Sequence, residues 1–174
     1  MAWVAPEVVR HDEPFVGGER EMLRGFLQYG RVSLLLPCAG LSSEQLVLRS
    51  APPSSLSLLG LVRHACDVER TWLRRRMGRQ AVPPLYATPD APDAAFDGTQ
   101  ARRAEADFAQ LLAEWGAADE AVAPIDLDAT CVSPTWGEKP ELGVPAPDPG
   151  STPVTAVRRI SSASASTVAP LLTD

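Results

Sequence analysis

SSLSLLGLVRHACDVERTWLRRRMG, residues 54–78, is the stretch that decides the fold. Pro52 and Pro53 precede it, and the serine hydroxyls that follow are favoured helix caps. The spacing predicts a helix to about Met77, ended by Gly78. Its predicted inward stripe recurs at steps of three and four residues: Leu58, Leu61, Ala65, Val68 and Trp72.

Two more helices of similar length are predicted on either side of this one. The first spans about Glu19 to Leu36, and the third spans about Thr99 to Val122. Pro37 and Pro124 end them. Their predicted inward residues are Leu23, Phe26, Leu27, Gly30 and Leu34 in the first, and Ala104, Phe108, Leu111, Leu112, Trp115 and Val122 in the third.

The remaining segments before residue 137 are shorter. Residues 1–17 form an irregular lead-in, and Ser42 to Gln45 resembles a capping box that opens a short helix through about Arg49. Residues 80–98 contain four prolines and are predicted to be a surface loop. Residues 125–136 are predicted to include a short extended segment.

The C-terminal stretch differs from everything before it. It has six prolines from Pro140 onward and a Ser/Ala/Thr tract from Ser161 to Thr167, with no helical or strand period. Such a sequence buries too little apolar surface to offset its ordering entropy. We therefore predict a helical domain over residues 1–137 and a disordered tail over 138–174, which leaves three helices without a fourth.

Composition excludes several classes of partner. The net charge of −6 and the isoelectric point of about 4.9 argue against nucleic acid. The sequence has no apolar run near the roughly 20 residues that span a bilayer, and no signal peptide at its start. A soluble, cytoplasmic protein with no membrane partner is expected. Cys38, Cys66 and Cys131 match no zinc spacing, so we expect reduced thiols, at least two of them buried.

The chain has two histidines with different surroundings. His11 lies beside Asp12 and Glu13 and is expected to be solvated. His64 lies on the predicted core-facing side of the second helix, where an imidazole needs a partner. Spacing alone leaves open a buried, hydrogen-bonded histidine or a metal ligand, and favours the first, because a catalytic zinc usually takes three protein ligands.

A cluster of arginines closes the second helix. We predict a solvated helix end, favoured by the helix dipole and by the nearby acidic residues, rather than an anion-binding patch. Its members are Arg70, Arg74, Arg75, Arg76 and Arg79.

Three segments together resemble a known family. They are APEVVRHDEPFVGGEREMLRGFL near the start, PCAGLSSEQLVLRSAPPSSLSLLGLVRHACDVERTWLRRR, and the VPPLY that follows. The chain from about Trp3 to Gly137 resembles the DinB/YfiT-like superfamily, and within it the mycothiol-transferase-like branch that includes the mini-circle proteins. The resemblance implies an all-α, up-and-down four-helix bundle.

The resemblance also implies a chemistry. Members hold a divalent metal, zinc or nickel, and act as metal-dependent transferases on a small-molecule thiol. His64 occupies the ligand position on the second helix, which reverses the preference stated from spacing. The other ligands of the family lie on a fourth helix resembling W-V-x-x-H-x-I-E-E-Y-A-R-H-x-G-H-A-D-L-I-R-E-R-I-D-G, which this chain lacks.

The tail is compatible with that helix translated out of frame. Ile160 to Val168 can be encoded atc-tca-tcc-gcg-agc-gca-tcg-acg-gtc, and translation from the third base gives L-I-R-E-R-I-D-G. The same offset back to Gly150 permits E-Y-A-R-H-x-G-x-A-D, and the other offset from Leu142 to Pro149 permits W-V-(Y/F)-L-H-L-I. Single-base insertions or deletions near Pro140 and Gly150 would produce this tail.

A non-catalytic alternative stays open at this point. A bundle that lacks a helix exposes an apolar face, and such a face favours association. The chain is then an interaction protein that forms a homodimer through its open side.

Overall fold

The computed structural model describes residues 3–129, and its regular structure there is helical. The five α-helices are α1 (Glu19–Leu35), α2 (Ser43–Leu46), α3 (Leu58–Glu69), α4 (Ala94–Asp97) and α5 (Ala104–Val122). A π-helical segment, Arg70–Met77, continues α3, and 3-10 turns follow α1 and precede α5. The all-α class is confirmed.

The first helix has the predicted bounds but a different buried face. Arg31 and Leu35 are its buried residues, whereas Phe26, predicted to lie inward, is 53% exposed. The face is rotated because the Arg31 guanidinium points into the interior, where it meets the carboxylates of Glu69 and Asp119. An arginine placed on the surface by its residue type is therefore part of the interior.

The capping box before α2 is confirmed. The Ser42 hydroxyl accepts from the Gln45 backbone N–H at 3.4 Å, and the Gln45 side-chain oxygen accepts from the Ser42 N–H at 2.8 Å. The helix ends at Leu46, earlier than predicted, and that leucine is fully buried. Both hydrogen bonds satisfy donors that a helix start leaves unpaired.

Helix α3, which is the second of the three predicted long helices, starts later than predicted. Its buried face is displaced by about one residue from the predicted one. Its cap is Ser57, whose hydroxyl accepts from the Gly60 N–H at 3.1 Å, and not Ser54 or Ser55. The buried face consists of Leu59, Gly60, Val62, Arg63, Cys66, Asp67 and Arg70, in place of the predicted apolar stripe. The prediction followed apolar residues only, and three of the buried positions are charged.

The π-helical segment ends at Gly78, as predicted, but through close packing. Gly78 is right-handed, and the left-handed residue is Arg79, with φ of 52°. A Cβ on Gly78 would lie 2.8 Å from the Arg74 carbonyl oxygen and 3.0 Å from the Ala121 Cβ. A side chain here would therefore be too close both to the carbonyls of its own segment and to α5.

Helix α5 corresponds to the third predicted long helix, and most of the inward face predicted for that helix is confirmed. Ala104, Phe108, Leu111 and Trp115 are buried, whereas Leu112 is 50% exposed. Asp107 and Glu114 are also buried, which the sequence pattern did not indicate. These two carboxylates face α3.

Ion pairs show that α3 and its continuation run parallel to α5. Arg63 pairs with Asp107 at 3.3 Å, and seven residues later Arg70 pairs with Glu114 at 2.8 Å. Residue numbers therefore increase in the same direction along both helices. In an up-and-down bundle successive helices alternate in direction, and α3 and α5 do not. A parallel pair needs a crossover that returns to the start of α3, and residues 78–103 provide it.

The crossover is not a loose surface loop, because α3 and its continuation bind it side chain by side chain. Arg74 donates to the Gln80 side chain, Arg70 to the Pro83 carbonyl, and Arg63 to the Ala94 and Ala95 carbonyls. As the residue numbers rise along the crossover, the numbers of the arginines that bind it fall along the helix. The crossover therefore runs antiparallel to α3 and its continuation. Near its end the crossover forms α4, which packs against the N-terminal half of α3 at Gly60 and Arg63.

The apolar core lies between these helices and includes two of the cysteines. Trp3 from the lead-in packs against the core, and its ring meets that of Phe108 edge-on, with the ring centroids 5.2 Å apart. Cys38 and Cys66 are buried free thiols, as expected. The fully buried core members include Leu46, Leu59, Val62, Cys66 and Leu111.

The chain divides into two units, residues 1–123 and 124–174. Of the second, only 124–129 are described, and they form turns and a bend. The rest of the range in which an extended segment was predicted, residues 130–136, lies outside the described residues. Cys131, the boundary at 137 and 138, the disordered tail and the out-of-frame helix all lie outside the described residues. Within residues 3–129 no helix is long and apolar enough to cross a membrane.

Candidate functional site

His64 is exposed on α3 and does not face the core. The rotation of α3 explains this correction, because the buried positions next to His64 on the helix surface are Gly60, Arg63 and Asp67. The flanking residues of the predicted stripe, Leu61 and Val68, are half-buried. A buried structural histidine, the reading favoured by spacing alone, is therefore wrong.

One face of the His64 ring is covered by an aromatic side chain. The ring centroids of His64 and Phe96 lie 4.8 Å apart, with an angle of 31° between the planes. Desolvation by the surrounding protein lowers the pKa of His64, although the nearby Asp67 carboxylate acts to raise it. The neutral imidazole, which is the form that binds a metal, is favoured at neutral pH.

Asp67, one turn after His64, is already committed to the crossover. Its carboxylate oxygens accept the backbone N–H groups of Leu85 at 2.9 Å, Tyr86 at 3.2 Å and Ala87 at 2.8 Å. A buried carboxylate with three such donors holds the chain in place. Asp67 is therefore occupied with the loop and does not face an open coordination position.

The described residues do not by themselves form a metal site. In the part of the chain from Trp3 to Ala129, no group of three His, Cys, Asp or Glu side chains lies close enough to hold an ion. His11, the only other histidine in the sequence, is exposed in the lead-in. Among the described residues His64 is therefore a single candidate donor, whereas a catalytic zinc usually takes three protein ligands.

The buried cysteines are poor nucleophiles. Burial raises the pKa of Cys38 to about 11 and that of Cys66 to about 12, where Glu114 and Asp67 also act in the same direction. A thiol needs to be deprotonated to attack an electrophile. Neither cysteine is therefore suited to a catalytic role at neutral pH.

Buried ion pairs around α5 are the feature that the sequence analysis missed. Glu114 is fully buried and accepts hydrogen bonds from both Arg70 and Arg74 at 2.8 to 3.1 Å. The predicted solvated helix end is therefore wrong for Arg70 and Arg74, while Arg75 and Arg79 are exposed as expected. Arg76 is half-buried, with its guanidinium 3.9 Å from the centroid of the Trp72 ring. The equal spacing of Arg63 and Arg70 on one helix, and of Asp107 and Glu114 on another, was the available signal.

A second ionic group ties α1 to the other helices. The Arg31 guanidinium donates to both oxygens of Glu69, at 2.9 and 2.6 Å, and to Asp119 at 2.9 Å. Burial alone would lower the pKa of Arg31, but these carboxylates outweigh it and raise the pKa. Because the guanidinium is paired with two carboxylates, this group has a structural role: it links α1 to α3 and α5.

The comparison with protein families gives one match. The family model described as Mycothiol-S-transferase matches residues 22–146, which is more than two thirds of the chain and includes most of α1 and all of α2 to α5. No curated protein and no solved structure matches the chain.

Proposed function

Because this chain belongs to the mycothiol-S-transferase family, we propose that it derives from enzymes that transfer a small-molecule thiol of the mycothiol type to an electrophilic acceptor. The family match carries this proposal. Burial raises the pKa of Cys38 and Cys66, so neither of these two described cysteines is suited to act as the nucleophile, which is compatible with sulfur that comes from the substrate thiol.

We further propose that His64 is the family's metal ligand on this helix, with zinc or nickel as the ion. Its exposed position in mid-helix and its lowered pKa support this role, because a metal binds the neutral imidazole. The resident metal would lower the pKa of a bound thiol. The remaining ligands are not among residues 3–129, so we assign no reaction step to the ion.

The chain as written is proposed to be impaired. After His64 the sequence contains no further histidine, whereas the family's fourth helix supplies several ligand candidates of this type. The back-translation of residues 142–168 supports frame changes near Pro140 and near Gly150 as the cause. Coding DNA whose codons do not permit the restored helix would contradict this explanation.

Metal analysis of matched proteins tests the function. The chain with the restored frame is expected to bind about one zinc or nickel ion and to lose it on His64→Ala, whereas the chain as written binds neither stoichiometrically. Thiol transfer is then measured with the restored protein and a mycothiol-type thiol. A restored chain that folds, yet holds no metal and transfers no thiol, contradicts the proposal.

The second candidate is a non-catalytic bundle that forms a homodimer. Exposed large apolar side chains on two of the long helices favour it, namely Phe26 on α1 and Leu112 on α5. Sedimentation over a range of concentrations is expected to show a dimer that dissociates on Phe26→Ser. A monomer at all concentrations would contradict it.

A further inference from the structure

We propose that the π-helical segment Arg70–Met77 holds one residue more than the stretch of α5 beside it, and that this extra residue is the cause of its π-helical form. The evidence is the register between two parallel helices. Arg63 pairs with Asp107, and Arg70 pairs with Glu114. Both helices advance by seven residues between these pairs, which is about two turns of an α-helix.

The next contact between the two helices departs from this count. A Cβ on Gly78 would lie 3.0 Å from the Ala121 Cβ, so these two residues lie side by side. From Glu114 to Ala121, α5 again advances by seven residues and remains α-helical. From Arg70 to Gly78 the neighbouring segment uses eight residues to reach the same level. One residue between Arg70 and Gly78 is therefore surplus.

A π-helix is a form in which a helix can absorb such a residue. Its hydrogen bonds join residues five apart in place of four, so each turn holds an additional residue. The Gly78 N–H donates to the Leu73 carbonyl at 2.9 Å, which is a hydrogen bond of this kind. The contacts at Arg70 and Gly78 both form because the extra residue is taken up between them.

Arg74 keeps the surplus residue inside the helix, because its side chain is held in two directions. Its Nη1 donates to the two Glu114 oxygens at 3.1 and 3.0 Å, and its Nε donates to the Gln80 side-chain oxygen at 2.8 Å. The Gln80 N–H also donates to the Arg74 carbonyl at 2.9 Å. The π-helical segment is thus fixed both to α5 and to the start of the crossover.

A single-residue deletion in the full chain tests the count. Arg75 is exposed in the middle of the segment, and its deletion leaves seven residues from Arg70 to Gly78, as in α5. The shortened chain is expected to fold with a Tm equal to or above that of the wild type, and the segment is expected to become α-helical.

The matched control is deletion of Ala109, which is exposed on α5 between Asp107 and Glu114. The two helices have equal counts there, so this deletion should misalign one of the two ion pairs and lower the Tm far below that of the wild type. Equal losses of Tm for the Arg75 and Ala109 deletions would overturn the proposal, and so would an Arg75 deletion that does not fold.

NMR couplings across hydrogen bonds provide a second test, which does not depend on stability. In the wild type the Gly78 amide is expected to couple to the Leu73 carbonyl, five residues earlier. In the Arg75 deletion the same two groups are four residues apart, and they should remain coupled as an ordinary α-helical pair. A wild-type coupling from Gly78 to the Arg74 carbonyl in place of Leu73 overturns the proposal, as does loss of the Leu73 coupling in the folded Arg75 deletion.

Discussion

The carboxylate of Glu114 on α5 accepts two hydrogen bonds from the guanidinium of Arg70, from Nε at 3.1 Å and from Nη2 at 2.8 Å. Glu114 is fully buried and Arg70 nearly so. Two buried charges cost much to desolvate, and their mutual contact offsets that cost only while both are present. Loss of one partner is therefore the sensitive change.

Glu114→Gln is expected to destabilise the protein by about 3 kcal/mol or more, because it leaves Arg70 and Arg74 without an anionic partner. Urea unfolding measures the change. Arg49→Ala is the control, since the Arg49–Asp97 pair is largely exposed, and it should cost less than about 1 kcal/mol. Similar losses for the two variants would contradict the buried position of the Glu114 network.

Asp67→Asn is expected to loosen the crossover at residues 85–87. The neutral amide keeps one acceptor oxygen in place of two charged ones, so the three backbone N–H groups lose part of their partner. Hydrogen exchange at Leu85, Tyr86 and Ala87 should accelerate, with a loss of about 1 to 3 kcal/mol in stability. Asp90→Asn, an exposed aspartate of the same segment, should leave the three rates unchanged.

Leu111→Ala and Leu112→Ala form a pair of neighbours that tests the buried face of α5. Leu111 is fully buried, so its truncation is expected to cost about 2 to 5 kcal/mol through lost contacts and a residual cavity. Leu112 is half-exposed, and its truncation should cost about 1 kcal/mol or less, by the area that it buries. Equal losses would mean that α5 has the inward face predicted from its apolar pattern.

The Cys66 thiol makes stability depend on alkaline pH. Its pKa rises on folding from 9.0 to about 12, because burial disfavours the thiolate. The stabilisation from the protonated thiol is fully present below pH 9 and is lost as the pH rises toward 12. Between these values Cys66→Ala should reduce the slope of unfolding free energy against pH by about 1.4 kcal/mol per unit.

Cys38 supplies the matched comparison for that measurement. Burial raises its pKa to about 11, so Cys38→Ala should flatten the curve over a narrower range that ends near pH 11. Thiol reagents at pH 7 should leave both cysteines unmodified until the protein unfolds. Rapid modification of either one in the folded protein would contradict the burial.

Apolar periodicity and caps were sufficient to locate the helices but not to orient them. Glu19, Met77 and Val122 were close to the observed ends, and the Ser42–Gln45 capping box formed as expected. The faces of α1 and α3 were misplaced because each buries arginine. A prediction that places every charged residue on the surface assigns such a helix the wrong buried face.

His64 shows the same limit at the candidate site. Family resemblance singled it out, but its predicted orientation was wrong, because Arg63 and Asp67 occupy the interior positions on either side of it. Phe96 lies 32 residues away in the chain, and only the crossover brings it to the His64 ring, so no local pattern links the two residues. The composition of residues 80–98 indicates a loop but does not indicate along which helix the loop runs.

The sequence by itself determined the helical class, the approximate positions of the long helices, the burial of at least two cysteines, and the family. These depend on local spacing, caps and residue type, which each segment carries within itself. The tertiary structure decided that α3 and its continuation run parallel to α5, that four charged side chains, Arg63, Asp67, Arg70 and Arg74, bind the crossover, and that His64 faces outward against Phe96. Those features depend on buried charges finding partners far away in the chain, and a charged residue is placed inside only when the fold brings its partner to it.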